Sequence, residues 1–313
     1  MTLPNPKRIQ LGNQAFEGKN NAYLLGDDND VLIDTGVSTP QTRDDLTKGL
    51  AEHGVELEDG ALDAIFLTHW HHDHTGLAGY LQNQTGTKVY IHRDDAPLVR
   101  QDDDSVDKMK TLQEHYFDEW GMPDDEKDEL LSFLEGSDFL AGEPPELETF
   151  TGGDAFNFGT RIEVMHSPGH TSGLSSFVFE TESGDEVFSG DALLPVYTPN
   201  VGGADLRTER PLEKYLDTLA EYVALDIIEH HKSRSRHIVG ALQELQPATA
   251  WEVSASLFGE LENIHIMHGP GESYAHLEHM EREGAVERVS ESPVEYTLPA
   301  NAPSVDDWFP IDV

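Results

Sequence analysis

Histidines and an aspartate are clustered in one short segment, THWHHDHTG (residues 68–76). An isolated histidine usually lies on the surface or satisfies a polar contact in the core. Clustered imidazoles without a cation crowd their donors, whereas imidazole nitrogens and carboxylate oxygens together suit zinc. The two-residue spacing turns His69 and His71 towards one ion, and Asp73 and His74 face another way. The segment therefore predicts two adjacent metal ions.

The chain contains no cysteine, which limits the chemistry it can perform. Disulfides, thiolate metal ligands and a cysteine nucleophile are excluded, so every metal ligand must be a histidine or a carboxylate. No G-x-S-x-G elbow is present to carry a catalytic serine. The sequence also lacks the glycine-rich phosphate-binding motifs, so a nucleotide cofactor has no support.

The clustered segment matches the H-x-H-x-D-H signature of the metallo-β-lactamase superfamily. Three further segments resemble the family's motifs and follow in the family's order along the chain. They are LIDTG (32–36), which carries Asp34, SPGHTSG (167–173), which carries His170, and FSGDALL (188–194), which carries Asp191.

This resemblance implies a hydrolase with a dinuclear zinc centre at one edge of an αββα sandwich. The family's ligand positions correspond here to the following residues: His69, His71 and His170 for the first ion, Asp73 and His74 for the second, and Asp191 bridging both. The resemblance further implies that a metal-activated hydroxide attacks the substrate. Asp73 is the expected catalytic residue, because it can accept a proton from that nucleophile. His72 occupies a variable position of the motif and is not expected to bind metal.

Asp34 has two interpretations that the sequence leaves open. In the family, the corresponding aspartate orients a ligand histidine, which fixes the tautomer of the ring. Alternatively, Asp34 caps the turn that precedes Gly36.

The sequence departs from the family at the last ligand of the second ion. The family places that histidine in a P-G-H-G-like turn, and this turn and its strand are missing between Asp226 and Ile227. The second ion would then lack a ligand. If residues 224–231 instead form the strand, His231 or His230 takes the ligand's place, and His268 in HGPGE is the remaining alternative.

The periodicity of the chain predicts an α/β fold that positions these motifs. Short apolar runs bounded by turn residues predict strands at 21–26, 30–36, 61–69, 87–92, 161–167, 174–180 and 185–191. Helical spacing predicts helices at 39–53, 211–225 and 227–245. Residues 1–246 are thus expected to form the hydrolase domain, with an acidic helical insertion at about 94–143 that either packs on the core or covers the site as a lid.

Residues 247–298 resemble the small winged-helix domain of one branch of the family, which includes lactamase-β-like proteins. Two helices at about 250–258 and 272–284 and two strands around a short turn carry this resemblance. A winged helix can bind nucleic acid, but these helices are rich in Glu and His, which favours packing or assembly into a homodimer. Residues 299–313 are expected to form a tail without periodicity.

The chain is strongly acidic, with 60 Asp and Glu against 20 Lys and Arg and a net charge of −40. Such a charge repels nucleic acids and anionic membranes at low salt. At molar salt the Debye length is only about 3 Å, so the repulsion largely disappears. Because the acids are spread along the whole chain, we interpret them as a solvated surface suited to the cytoplasm of a halophile. No segment approaches the ~20 apolar residues of a membrane span.

The sequence favours a small-molecule acyl substrate, namely a thioester, ester or lactone, as in glyoxalase II-like members of the family. A phosphodiesterase or endoribonuclease activity is the alternative. A third interpretation is a non-catalytic winged-helix binding or scaffold protein with a degenerate metal site, which the missing P-G-H-G turn supports. Retention of all six motif ligands argues against that third interpretation.

Overall fold

The computed structural model describes residues 5–12, 19–26, 30–181, 184–222 and 225–309. Its strands are β1 (Lys7–Leu11), β2 (Asn20–Leu25), β3 (Val31–Ile33), β4 (Ala64–Phe66), β5 (Lys88–His92), β6 (Leu147–Phe150), β7 (Ala155–Phe158), β8 (Thr160–His166), β9 (Ser175–Thr181), β10 (Gly184–Phe188), β11 (Ala248–Thr249), β12 (Glu287–Glu291) and β13 (Val294–Thr297). Its α-helices are α1 (Pro40–Glu52), α2 (His72–Thr75), α3 (Ala78–Thr85), α4 (Ala96–Val99), α5 (Asp103–Glu119), α6 (Asp124–Ser137), α7 (Pro211–Tyr222), α8 (Leu225–Leu245), α9 (Ala250–Phe258), α10 (His265–Arg282) and α11 (Val305–Trp308).

The chain divides into two compact units. The first comprises Met1–Val106, Ser137–Ser167 and Gly173–Asp191, and the second comprises Asp107–Gly136, Pro168–Ser172 and Ala192–Val313.

Two sheets form the framework of the first unit. The six-stranded sheet has the order β1-β2-β3-β4-β5-β6, in which β1, β2 and β3 pair antiparallel and β3 to β6 pair parallel. The four-stranded sheet has the order β10-β9-β8-β7 and is antiparallel throughout. The parallel strands β3 and β4 therefore end at the same edge, and both predicted motifs at Asp34 and His69 directly follow them.

Alternating side chains of the six-stranded sheet build two separate cores. In β4, Ala64 and Phe66 face the four-stranded sheet, where they pack with residues such as Phe177. The intervening Ile65 faces the opposite way and packs with Leu46 of α1. Because successive strand residues point to opposite faces, strands buried on both faces read as continuous apolar runs, which is what the sequence shows here.

The second unit is mainly helical. Its core contains Leu212, Tyr215 and Leu219 of α7 together with Ile228 of α8 and Ala275 of α10. A small antiparallel sheet of order β11-β13-β12 follows the helices, with β12 and β13 forming a hairpin. A capping box between Thr249 and Glu252 begins α9. The predicted order of helix, helix and two strands is therefore present.

Three sequence expectations need correction in this unit. The alternative strand at 224–231 is wrong, because α8 begins at Leu225 and is helical through that segment. The predicted helix at about 272–284 begins earlier, at His265. Within the tail, residues 305–308 form the short helix α11, which Ser304 caps and in which Val305 is buried. Residues 310–313 lie outside the described part. Among the described residues, no helix is both long and apolar enough to cross a membrane.

Candidate metal centre

The clustered histidines follow β4 in a tight loop that leads into α2. His69 is fully buried, and its Nε2 lies 3.0 Å from Nδ1 of His71. On the other side of the ring, Nδ1 of His69 lies 3.0 Å from the hydroxyl of Thr68. That hydroxyl donates its proton to Asp34 Oδ2 at 2.9 Å, so it accepts from His69 Nδ1. The lone pair of His69 is therefore on Nε2, the atom that faces His71.

Asp34 organises this loop from the end of β3. Its Oδ1 accepts the backbone N–H of Thr68 at 2.8 Å, and its Oδ2 accepts Nδ1–H of His74 at 2.7 Å. The residue has a positive φ of 60°, a left-handed conformation that is uncommon outside glycine but tolerated by Asp. Of the two interpretations left open by the sequence, the one in which Asp34 orients an imidazole has a counterpart in the contact with His74. Residues 34–37 form an irregular loop and not a turn.

A second group of ligand atoms surrounds the opposite nitrogen of His74. Its Nε2 lies 3.3 Å from Asp191 Oδ1 and 3.7 Å from Asp73 Oδ2. Burial alone would lower the pKa of this imidazole, but the carboxylates of Asp191, Asp34 and Asp73 outweigh burial and hold the pKa well above its ordinary value. The arrangement concentrates negative charge around one nitrogen, which is a suitable environment for a cation.

Two residues that were not expected from the sequence form hydrogen bonds that hold the histidine loop in place. Asn20 donates from Nδ2 to Asp73 Oδ2 at 2.7 Å. Asp95 is fully buried; its Oδ2 accepts the N–H of Trp70 at 3.2 Å, and its Oδ1 accepts the N–H of Gly173 at 2.9 Å. Neither residue belongs to a contiguous motif with the histidines, and only the tertiary structure brings them to the loop.

Residue 190, directly before Asp191, must be a glycine, because its main chain lies close to Thr68. Its φ is 51°, and a Cβ atom at this position would come within 2.8 Å of Cβ of Thr68. A side chain at residue 190 would thus push the Asp191 segment away from the histidine loop.

His170 belongs to the second unit, in the segment Pro168–Ser172. It is buried, and its Nδ1 donates to the carbonyl oxygen of Asn200 at 2.7 Å. This hydrogen bond assigns the proton to Nδ1 and the lone pair to Nε2, as is usual for a histidine that binds metal. The next residues are also fixed, because Asp205 accepts the N–H of Ser172 at 2.9 Å.

The three histidines considered for the last ligand differ in their surroundings within the second unit. His231 is buried in α8, with Nδ1 3.2 Å from Nε2 of His276. His230 lies on the same helix, and its Nε2 is 3.3 Å from the hydroxyl of Thr198. His268 is electrostatically coupled to His170: burial, His265 and His170 together lower the pKa of His268 to about 3.

Asn200 links His170 to His268. While its carbonyl oxygen accepts from His170, its side chain donates from Nδ2 to the carbonyl oxygen of His268 at 3.1 Å. From the sequence, His268 is the last of the three alternatives. Among the described residues, it is the one of the three whose main chain is bonded to Asn200, the partner of His170.

The donor set within the first unit fits a divalent metal ion. Ligand atoms of His69, His74 and Asp191 all lie within 4.8 Å of one another. Two lone-pair nitrogens and several carboxylate oxygens without thiolate suit zinc. Among the described residues, no group of this kind includes His72.

Comparison with known proteins agrees with this chemistry. Over 292 residues the chain is 24% identical to the "Probable metallo-hydrolase YqjP" of Bacillus subtilis, covering 84% of this chain and 88% of that protein. It is 22% identical to an "Atrochrysone carboxyl ACP thioesterase" of Aspergillus chevalieri, covering 84% of this chain and 73% of that protein. The crystal structure of a metallo-beta-lactamase family protein from Thermus thermophilus superposes with a TM-score of 0.77 at 26% identity, over 94% of this chain and 98% of the other.

The model of the metallo-beta-lactamase superfamily matches residues 15–227. Since the matched region is more than half of the chain and contains all four motifs, the chain belongs to the metallo-beta-lactamase superfamily.

Proposed function

We propose that the protein is a zinc-dependent hydrolase of small acyl substrates, namely thioesters, esters or lactones. The observation that carries this proposal is the pair of imidazole nitrogens of His69 and His71, which lie 3.0 Å apart with the lone pair of His69 facing its neighbour. Without metal, Nδ1–H of His71 can donate to Nε2 of His69, and an ion bound by both rings takes the place of that proton, because imidazole nitrogens are ligands of zinc. The group at His74 and Asp191 supplies the charge for a second ion.

Six residues would hold the two ions as the family motif assigns them: His69, His71, His170, Asp73, His74 and Asp191. Zinc, when bound, polarises a carbonyl oxygen and lowers the pKa of water towards about 7. The protein's own part is to position and to move protons. Asn20 holds Asp73 by one carboxylate oxygen, which fixes the group that we assign as the proton acceptor.

Two observations support this substrate class: the net charge of the chain and its similarity to known proteins. At low salt, a net charge of −40 repels long polyanions such as RNA, whereas a small uncharged acyl group is unaffected. One of the similar proteins, from Aspergillus chevalieri, carries the name thioesterase. These observations favour a carbonyl over a phosphodiester as the reacting group.

The experiment is metal analysis coupled to a hydrolysis screen. The purified protein is loaded with zinc, and turnover is measured on an S-acyl thioester, a p-nitrophenyl ester, a lactone and a short single-stranded RNA, each at low and high potassium chloride. We expect about two zinc ions in the hydrolytic centre of each chain and turnover of the acyl substrates. His69→Ala should abolish turnover, whereas His53→Ala, which alters an exposed histidine, should leave it unchanged.

Other outcomes of this experiment would contradict the proposal. Turnover of RNA alone would assign the alternative phosphodiesterase activity. Full acyl turnover in His69→Ala would show that the activity does not depend on the predicted metal centre. The absence of tightly bound metal from the wild-type chain, together with no turnover, would favour a binding protein with a degenerate site.

We further propose that residues 247–298 form a winged-helix-like module that serves packing or homodimer formation. The order β11, α9, α10 and the β12–β13 hairpin supports this assignment. The acidic surface supports a high-salt cytoplasm, as in a halophile, as the setting of the protein. Light scattering of the full chain over a range of protein concentrations tests assembly: a mass of two chains supports the homodimer, and a mass of one chain at every concentration contradicts it.

A further inference from the structure

A second cluster of metal-ligating side chains lies outside the predicted centre. It consists of His92 at the end of β5, His166 at the end of β8, and Asp94. One ligand atom from each of these residues lies within 4.8 Å of the other two. Of the three groups with this property among the described residues, this is the one that shares no residue with the predicted centre.

The geometry of the cluster is compact. The imidazole rings of His92 and His166 stack almost parallel, with centroids 4.4 Å apart and an interplanar angle of 7°. Oδ2 of Asp94 lies 3.7 Å from Nδ1 of His92. Two ligand atoms of one tetrahedral zinc ion are about 3.3 Å apart, so this last pair is already close to the required separation.

The donor atom of His92 is in the right state to bind metal. Its Nδ1 accepts the backbone N–H of Asp94 at 3.3 Å, so it carries a lone pair. A metal ion bound at this nitrogen takes the place of the long hydrogen bond from Asp94.

The other two side chains of the cluster are accessible to solvent, since Asp94 is exposed and His166 is half-buried. Binding both rings to one ion requires the parallel stack to open, because an imidazole nitrogen binds metal in the plane of its ring. Rotation about χ2 of His166, a torsion without sharp minima, accomplishes this.

We propose that His92, Asp94 and His166 form an additional site for a divalent transition metal, distinct from the hydrolytic centre. Two imidazoles and one carboxylate select zinc, cobalt or nickel over magnesium and calcium. Three protein ligands leave one position of a tetrahedral ion for water.

The site has a structural role. Strand β5 belongs to the six-stranded sheet and β8 to the four-stranded sheet of the same unit. An ion held by His92 and His166 ties the ends of these strands together across the core that the sheets share. Because the ion binds the folded chain and not the unfolded one, it stabilises the first unit by mass action.

The test counts metal ions in the full-length protein. The chain is loaded with zinc, desalted and analysed by inductively coupled plasma mass spectrometry, as wild type and as His166→Asn. We expect the variant to hold one ion fewer per chain and to gain less in melting temperature on metal loading. The matched control His115→Asn alters an exposed histidine outside the cluster and should retain the wild-type count.

Two further variants keep the result unambiguous. Asp94→Asn changes an exposed side chain that the fold does not need, and it should weaken the site at least tenfold in a cobalt titration followed by absorbance. His69→Ala disables only the predicted hydrolytic centre, so the ion at His92 should persist in it. Equal metal counts in wild type and His166→Asn, or loss of the same ion in His69→Ala and His166→Asn, would overturn the proposal.

Discussion

Oδ2 of Asp34 accepts the Nδ1–H of His74 at 2.7 Å, and this contact determines which nitrogen of the ring can bind metal. With the proton on Nδ1, the lone pair of His74 is on Nε2, the atom that faces Asp191 and Asp73. The same carboxyl group accepts from the backbone and the hydroxyl of Thr68, next to His69. Asp34 therefore orients His74 directly and, through Thr68, the segment that carries His69.

Replacing Asp34 by asparagine should lower metal affinity 10–100-fold, the usual effect of losing a group that orients a ligand histidine. The amide can present its NH2 group to His74, which would favour the wrong tautomer. Zinc affinity is measured by competition with a chromophoric chelator, and turnover should fall in parallel. The control is Asp63→Asn, since Asp63 is an exposed carboxylate that also accepts a backbone N–H. Unchanged zinc affinity in Asp34→Asn would show that the contact only shapes the loop.

The sequence predicted the core strands well because their apolar runs are buried on both faces. Strands β3 and β4 are examples, and both were expected. Strands β1, β6 and β7 were not expected. β1 and β7 are the edge strands of their sheets, and β6 is the last strand of the parallel set. Their half-exposed side chains give no continuous apolar run, and β6 with β7 follows an acidic helical stretch that masks the signal.

For the site, the sequence predicted the residues with chemically specific types and fixed spacing, such as His69 and His74. It could not predict Asn20 or Asp95, whose roles arise from contacts 53 and 25 residues away along the chain. Short polar residues at such separations resemble ordinary surface residues. The acid-rich composition adds to the difficulty, because the few buried acids, such as Asp95, are concealed among 60 Asp and Glu residues.

Asp95→Asn should destabilise the protein by about 1–3 kcal/mol, the cost of leaving a buried hydrogen-bonding group without its partner. Asparagine keeps only one acceptor oxygen, so the N–H of Trp70 and that of Gly173 cannot both be satisfied. Urea unfolding of the metal-free protein measures the loss. Because Trp70 lies between His69 and His71, zinc affinity should fall as well. Asp128→Asn is the control at an exposed position, and an equal midpoint for both variants would contradict the assigned role.

Stability should rise steeply between about 0.1 M and 1 M potassium chloride, because the Debye length falls from about 10 Å to about 3 Å in that range. The net charge of −40 makes self-repulsion the dominant surface term at low salt. The urea midpoint is measured across the salt series. Screening saturates near 1 M, whereas a salting-out effect continues to grow, so the curvature of the series separates the two causes. A flat or falling profile would show that the acidic surface has another purpose.

Acid should destabilise the second unit through a buried histidine pair. Nδ1–H of His276 donates to the carbonyl oxygen of Glu272 at 2.8 Å, and its Nε2 accepts from Nδ1–H of His231 at 3.2 Å. Burial lowers the pKa of both rings, to about 3 for His276, against 6.5 in the unfolded chain. Because the folded pKa is depressed, this stability is fully present above pH 6.5 and is lost as pH falls towards 3.

The measurement is the free energy of unfolding at pH 7.0, 6.0 and 5.0 in a chelator, which removes the contribution of metal. Each histidine that must stay neutral contributes about 1.4 kcal/mol per pH unit in that window. His276→Gln should remove part of the slope, whereas His53→Gln, at an exposed position, should leave it unchanged. An identical slope in wild type and His276→Gln would show that other groups cause the acid sensitivity.

The last ligand of the second ion can be distinguished by comparing two histidines of the second unit. His268 shares Asn200 with His170, a predicted ligand, whereas the Nδ1 of His231 is engaged with His276. We therefore expect His268→Ala to lower the zinc content by about one ion per chain. His231→Ala should retain both ions and lose only stability, because it breaks the buried pair.

Zinc content after desalting and cobalt absorbance give two independent readouts of this difference. The stability of each variant is measured without metal, so that a folding defect is not mistaken for the loss of a ligand. Loss of an ion in His231→Ala at full stability would restore the alternative in which His231 is the last ligand. An unchanged ion count in both variants would mean that the second ion is held by the motif residues alone, as a missing last ligand requires, since Asp73, His74 and Asp191 provide three ligands and water can supply the fourth.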